Sequence, residues 1–91
     1  MGQLLPLRPT TRISSLDISH NQLDGQLQEN VAHMIPHIMS LNLSNNGFEG
    51  ILPSSIAEMI SLRVLDLSAN NFSREVPKQL LATKYLEIMK L

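Results

Sequence analysis

The 91-residue chain has no cysteine. Disulfide cross-links and thiol chemistry are therefore excluded, while the redox compartment stays open. An excess of one charge is also missing: 7 basic and 8 acidic residues give a net charge of −1 with no basic block. A polyanion finds no electrostatic footprint, so nucleic acid is not an expected partner. No apolar run approaches the about 18 residues of a membrane-spanning helix, so no membrane span is expected in this chain. At the N-terminus, Leu4, Leu5 and Leu7 around Pro6 are too few for the apolar core of an export signal. Met1-Gly2 is not followed by Ser or Thr at the sixth position, where Pro6 stands, so the myristoylation pattern fails. There is no glycine-rich phosphate loop and no paired acid/base set.

What is present is a repeat. Leu16, Leu41 and Leu65 are followed in the same column by Met89. The step between them is nearly constant, the first being one position longer than the two that follow. Asn21, Asn46 and Asn70 keep the same step. Leu23, Phe48 and Phe72 follow two residues after each asparagine, and Leu27, Leu52 and Val76 four residues after that. A period of this length decides the architecture before local propensity does. The copies run over 13–37, 38–61 and 62–85, with a partial fourth at 86–91, after an irregular lead-in at 1–12 containing Pro6 and Pro9.

Within each copy, Ser15 to Ser19, Ser40 to Ser44 and Val64 to Ser68 alternate polar and apolar residues, the period of a strand with one buried face. Strands this short bury that face only by stacking as a parallel sheet, one per coil and about 4.8 Å apart. The stretches after Pro53 and Pro77 suit short helical or 3₁₀ turns. Propensity over 78–91 favours one long helix, but Leu86 and Met89 fall on the strand columns, so a fourth strand is expected there. The first copy has one extra residue between Ala32 and His37, read as a bulge away from the sheet.

The pattern LxxLxLxxNxLxGxIP resembles the plant-specific class of leucine-rich repeat found in receptor-like proteins and receptor-like kinases. Ile38, Leu41, Leu43, Asn46, Phe48, Gly50, Leu52 and Pro53 match it, as do Leu62, Leu65, Leu67, Asn70, Phe72, Val76 and Pro77. Arg74 departs from it where Gly25 and Gly50 stand, and Gln28 where Pro53 and Pro77 stand. The resemblance implies an α/β solenoid: a short parallel sheet on the concave face, short helical or 3₁₀ turns on the convex side, and about three and a half repeats. Complete ectodomains of this family usually end in cysteine-containing caps, so the chain reads as a fragment. The function implied is recognition of a protein or peptide ligand, or a co-receptor, at the extracellular face of the plasma membrane in defence or development. A short soluble interaction module, an inhibitor resembling the polygalacturonase inhibitors, and a truncated non-functional receptor fragment remain alternatives.

Asn21, Asn46 and Asn70 are expected to form a structural ladder, each carboxamide bonding to turns above and below, where a leucine would leave backbone groups unpaired. The exposed face of the sheet is the candidate partner-binding surface, through Ser15, Asp17, His20, Ser40, Asn42, Asn45, Arg63, Val64, Asp66 and Ala69. The column Ser19, Ser44, Ser68 barely varies and reads as structural. Two N-glycosylation sequons occur at Asn42 and Asn71, the latter the more accessible. Asp17, Ser19 and His20 contain the letters of a hydrolytic triad, but each sits on a repeat column and a strand does not bring them together. His33 and His37 lack further metal ligands and have Pro36 between them. No catalytic, cofactor or metal site is expected. With an open terminal strand, and with Arg74 at a glycine position, the isolated chain is expected to be marginal or aggregation-prone, and Arg74→Gly to stabilise it.

Overall fold

The computed structural model describes residues 13–73 and 75–91. The lead-in and Arg74 lie outside the described residues.

Leu16, Leu41, Leu65 and Met89 occupy the middle of four three-residue strands: β1 (Ser15–Asp17), β3 (Ser40–Asn42), β5 (Val64–Asp66) and β7 (Ile88–Lys90). These form one parallel sheet in the order β1-β3-β5-β7. The register keeps the repeat, with Leu16 opposite Leu41, Leu41 opposite Leu65 and Leu65 opposite Met89. In sheet geometry the middle residue points one way and its two neighbours the other. Leu41 and Leu65 are accordingly buried, while Leu16 and Met89, on the first and last strands, are half-buried against the same core. The fourth strand replaces the long helix that propensity favours; the helix α2 stops at Leu81 (Lys78–Leu81).

A second parallel sheet, not foreseen from the sequence, runs β2 (Asp24–Gln26), β4 (Gly47–Gly50) and β6 (Asn71–Phe72). It is staggered against the repeat. Asp24 faces Gly47, and Glu49 faces Asn71. Each of these steps is two positions shorter than the corresponding step in the first sheet, and a shift of two keeps every side chain on its own face. Gly25 and Gly50 have φ of 84° and 83°, so the glycine column does need the left-handed backbone.

Opposite the first sheet lie α1 (Val31–Met34), a 3₁₀ turn (Ser54–Glu58) and α2. Each sends one apolar side chain of the same column inward: Val31, Ile56 and Leu80, all buried. In the first copy α1 makes one α-helical turn, with the Ile35 amide donating to the Val31 carbonyl, and Ile35 is fully buried. Ile60, the corresponding residue after the tighter 3₁₀ turn, is 69% exposed. The core closes with Phe48 and Phe72 stacked at 6.0 Å between ring centroids. On the helical side the Tyr85 hydroxyl donates to the Ala57 carbonyl at 2.6 Å, and the Ser55 hydroxyl to the Glu29 carbonyl at 2.8 Å.

Candidate interaction surface

As the chain leaves each strand of the first sheet it turns sharply, and the same device makes the turn three times. Asp17 Oδ1 accepts the Ser19 amide at 3.0 Å and the Ser19 hydroxyl at 2.6 Å. Asn42 Oδ1 accepts both from Ser44, at 3.0 and 2.7 Å, and Asp66 Oδ1 both from Ser68, at 3.1 and 2.6 Å. These are Asx turns, in which a short polar side chain imitates a backbone acceptor. The triad letters at Asp17, Ser19 and His20 are therefore part of a turn repeated along the chain. The serine column is structural, and Ser44 is buried.

The next residue, His20, Asn45 or Ala69, takes φ of 57°, 57° and 56°. That twist aims the His20 amide at the Ser44 carbonyl (3.1 Å) and the Asn45 amide at the Ser68 carbonyl (3.0 Å) of the following coil. Asparagine tolerates the left-handed region, and alanine is strained there. All three side chains are exposed, but their column is first of all a backbone requirement.

The asparagines follow. Asn46 Nδ2 donates to the carbonyls of Ile18 (3.0 Å), Leu43 (3.1 Å) and Ser44 (3.1 Å), and its Oδ1 accepts the Leu23 amide (3.2 Å). Asn70 repeats this one coil later on Leu43, Leu67 and Ser68, with the Phe48 amide on Oδ1. The expectation of bonds both above and below needs correction. Each of these two carboxamides serves its own coil and the preceding one, because the turn points Nδ2 backward. Asn21 donates within its own coil, to the Ile18 and Ser19 carbonyls, and is exposed.

The outward side chains of the first sheet form two rows across the strands: Ser15, Ser40, Val64 and Ile88, then Asp17, Asn42, Asp66 and Lys90. The structure thus brings together Ser15, Asp17, Ser40, Asn42, Val64 and Asp66. Arg63 lies just before β5, exposed and 4.0 Å from Glu87. Lys90 completes the second row and was missed from the sequence, although it stands one repeat step beyond Asp66. Asn71 is exposed on β6, in the other sheet; Asn42 is half-buried on β3.

Charge on this face is tuned by the turns. The Ser19 hydroxyl, and next its amide, hold the Asp17 carboxyl below its ordinary value. For Asp66 the Ser68 hydroxyl is the largest influence downward, helped by the Ser68 amide and by Lys90, while desolvation and Asp17 oppose it. The row therefore presents negative charge at β1 and β5, with Lys90 beside the latter, next to an apolar pair at Val64 and Ile88.

Residues 11–72 match the family described as leucine rich repeat. The chain belongs to the leucine-rich repeat family. Among solved structures, this leucine-rich repeat chain is similar to one in the complex of BIR3 and SERK2 from Arabidopsis thaliana, at 33% identity and a TM-score of 0.82, over 86% of this chain and 42% of that one. It is also similar to the leucine-rich repeat ectodomain of the receptor kinase SOBIR1 from Arabidopsis thaliana. There the identity is 23% and the TM-score 0.67, over 89% of this chain and 56% of that one, a likeness of fold. The chain spans about half the length of these two neighbours. No curated protein matches it. Its repeats are of the plant type, and repeats of this family serve generally as interaction modules. Among the described residues, no helix is long and apolar enough to cross a membrane.

Proposed function

We propose that the outward face of the four-stranded sheet recognises a protein or peptide partner, as part of a plant receptor-like ectodomain perceiving a ligand or pairing with a co-receptor on the extracellular side of the plasma membrane. The observation that carries this reading is the pair of rows itself. The core columns repeat from coil to coil, while the rows above them change from serine to valine and isoleucine, and from aspartate through asparagine to lysine. A scaffold with a constant interior and a varied exposed face is how solenoids present binding surfaces. The BIR3 and SERK2 structure is a complex between two proteins, which agrees with an interaction role. The face favours a partner segment with a cationic side chain near Asp17 and an apolar one over Val64 and Ile88. In this reading N-glycosylation falls on exposed Asn71, which leaves the rows uncovered, and spares Asn42 within them.

The test is surface plasmon resonance of the secreted chain against a panel of plant receptor ectodomains, with BIR3 and SERK2 included. Binding to a panel member is expected to be lost in the double variant Val64→Arg/Asp66→Arg and retained in Lys78→Glu on the helical side. The reading falls if no member binds, or if the row variant binds as well as the unaltered chain while keeping its circular dichroism.

A further inference from the structure

The middle rung of the asparagine ladder is followed by glycine and the other two are not: Asn21 precedes Gln22, Asn46 precedes Gly47, and Asn70 precedes Asn71. We propose that Asn46 is a covalent modification site, undergoing intramolecular deamidation that the native fold blocks and unfolding releases, so that a chain once opened is converted to a form unable to rebuild its ladder.

The chemistry needs only the chain and water. The Gly47 backbone nitrogen, after loss of its proton, attacks Asn46 Cγ; a C–N bond forms, and the bond from Cγ to Nδ2 breaks. Nδ2 leaves as ammonia, and a five-membered succinimide remains. Water then opens the ring at one carbonyl to give aspartate, or at the other to give isoaspartate, in which the main chain runs through the former side chain. Glycine favours the attack because it has no Cβ to crowd the ring and the greatest backbone freedom.

The fold holds both reacting groups on other partners. The Gly47 nitrogen donates to the Leu23 carbonyl at 2.6 Å. The Asn46 carboxamide is held by the carbonyls of Ile18, Leu43 and Ser44 and by the Leu23 amide. Ring closure requires these bonds to open together, so the native rate follows the population of opened chain.

Nor does the backbone demand glycine here. Gly25 and Gly50 are the described glycines with positive φ; Gly47 is not among them. A Cβ at Gly47 meets the Leu23 carbonyl oxygen at 3.2 Å and Asp24 Cβ at 3.6 Å, a tight but adjustable fit. The same column carries the side chains of Gln22 and Asn71 in the neighbouring coils.

The products do not fit. Aspartate at this rung sets oxygens against the Ile18, Leu43 and Ser44 carbonyls where N–H donors stood. Isoaspartate lengthens the main chain immediately before β4, whose pairing with β2 begins at Gly47.

The experiment incubates the full chain at mildly alkaline pH with and without denaturant, and follows position 46 by peptide mass mapping and isoaspartyl methylation. Conversion in denaturant is expected to be at least about tenfold faster than in the native chain. The converted fraction is expected not to recover its circular dichroism on dilution, while Gly47→Gln refolds fully after the same treatment. Equal rates in the two conditions overturn the proposal, as do equal conversion at Asn70 and normal refolding of converted chain. If Gly47→Gln does not fold, Gly47→Ala replaces it, and the ratio of rates in the unaltered chain decides independently.

Discussion

Asn70 accepts the Phe48 amide on Oδ1 at 3.1 Å, reaching into the coil before its own. The same carboxamide donates to the Leu43 carbonyl of that coil at 2.8 Å. Two coils are thus fastened by one side chain at the point where the backbone leaves the first sheet and enters the second.

Removing such a fastening is expected to cost more than removing its exposed counterpart. Asn46→Ala takes from the Leu23 amide its acceptor, while the Ile18 carbonyl keeps Asn21 and the Leu43 carbonyl keeps Asn70. At about 1–3 kcal/mol for a buried group left unpaired, the loss is expected to fall in that range. Asn21→Ala, at an exposed position bonded within its own coil, is expected to cost less than about 1 kcal/mol. Urea denaturation followed by circular dichroism measures the difference; equal losses would show that the cross-coil bonds contribute nothing.

Ala69 holds φ of 56° with a Cβ, at a position where the middle coil has asparagine. Ala69→Asn is expected to raise stability by roughly 1 kcal/mol, since an L-residue without a local hydrogen-bonding side chain loses about that much in the left-handed region. Asn45→Ala should lower it by a similar amount. Melting temperatures of the two variants moving in the same direction would contradict this.

The lowered carboxyls of Asp17 and Asp66 make the turns sensitive to acid. Because the folded values lie below the ordinary 3.8, each contributes stability that is complete above that value and is lost as pH falls through the lower folded one. Carboxyl carbon NMR is expected to show both groups titrating below the ordinary value, and Ser68→Ala to bring Asp66 upward. Ser44→Ala supplies the contrast: its partner Asn42 does not titrate, so its destabilisation should be the same at neutral and acidic pH.

Two isoleucines that look alike in sequence, Ile35 after α1 and Ile60 after the 3₁₀ turn, differ in burial. Ile35 is buried, and Ile35→Ala is expected to cost about 2–5 kcal/mol, whereas Ile60→Ala, at an exposed site, should stay within about 0.5 kcal/mol. Thermal denaturation of the pair decides it.

These isoleucines also show where the sequence could be read and where it could not. The strand columns were legible because Leu16, Leu41, Leu65 and Met89 sit at a near-constant step and face one core. That is also why Ile88–Lys90 was recognisable as a strand despite its helical neighbours. The inward turn of Ile35 was hidden, since its counterpart Ile60 is the same residue type at the same place in the repeat and is exposed. The second sheet was hidden for a different reason. Asp24, Gly25, Gly47 and Glu49 have poor strand propensity, and its pairing follows a step two positions shorter than the repeat. Of the candidate surface, the rows of Ser15 and Asp17 followed from alternation. The backbone role of His20, Asn45 and Ala69 did not, because side-chain variety along a column resembles variety for recognition. Arg63 lay on the periodic pattern; its exposed pairing with Glu87, a contact of a kind that adds little stability, depended on how two adjacent coils align.

The backward reach of the asparagines has a geometrical corollary. Each cross-coil asparagine rung points toward the N-terminal end, so a stack of such coils is directional, like a zipper with teeth inclined one way. The ladder bond that joins two neighbouring coils always comes from the later one, so each such asparagine fastens its coil only to a coil already laid down before it, in the order in which the chain is made.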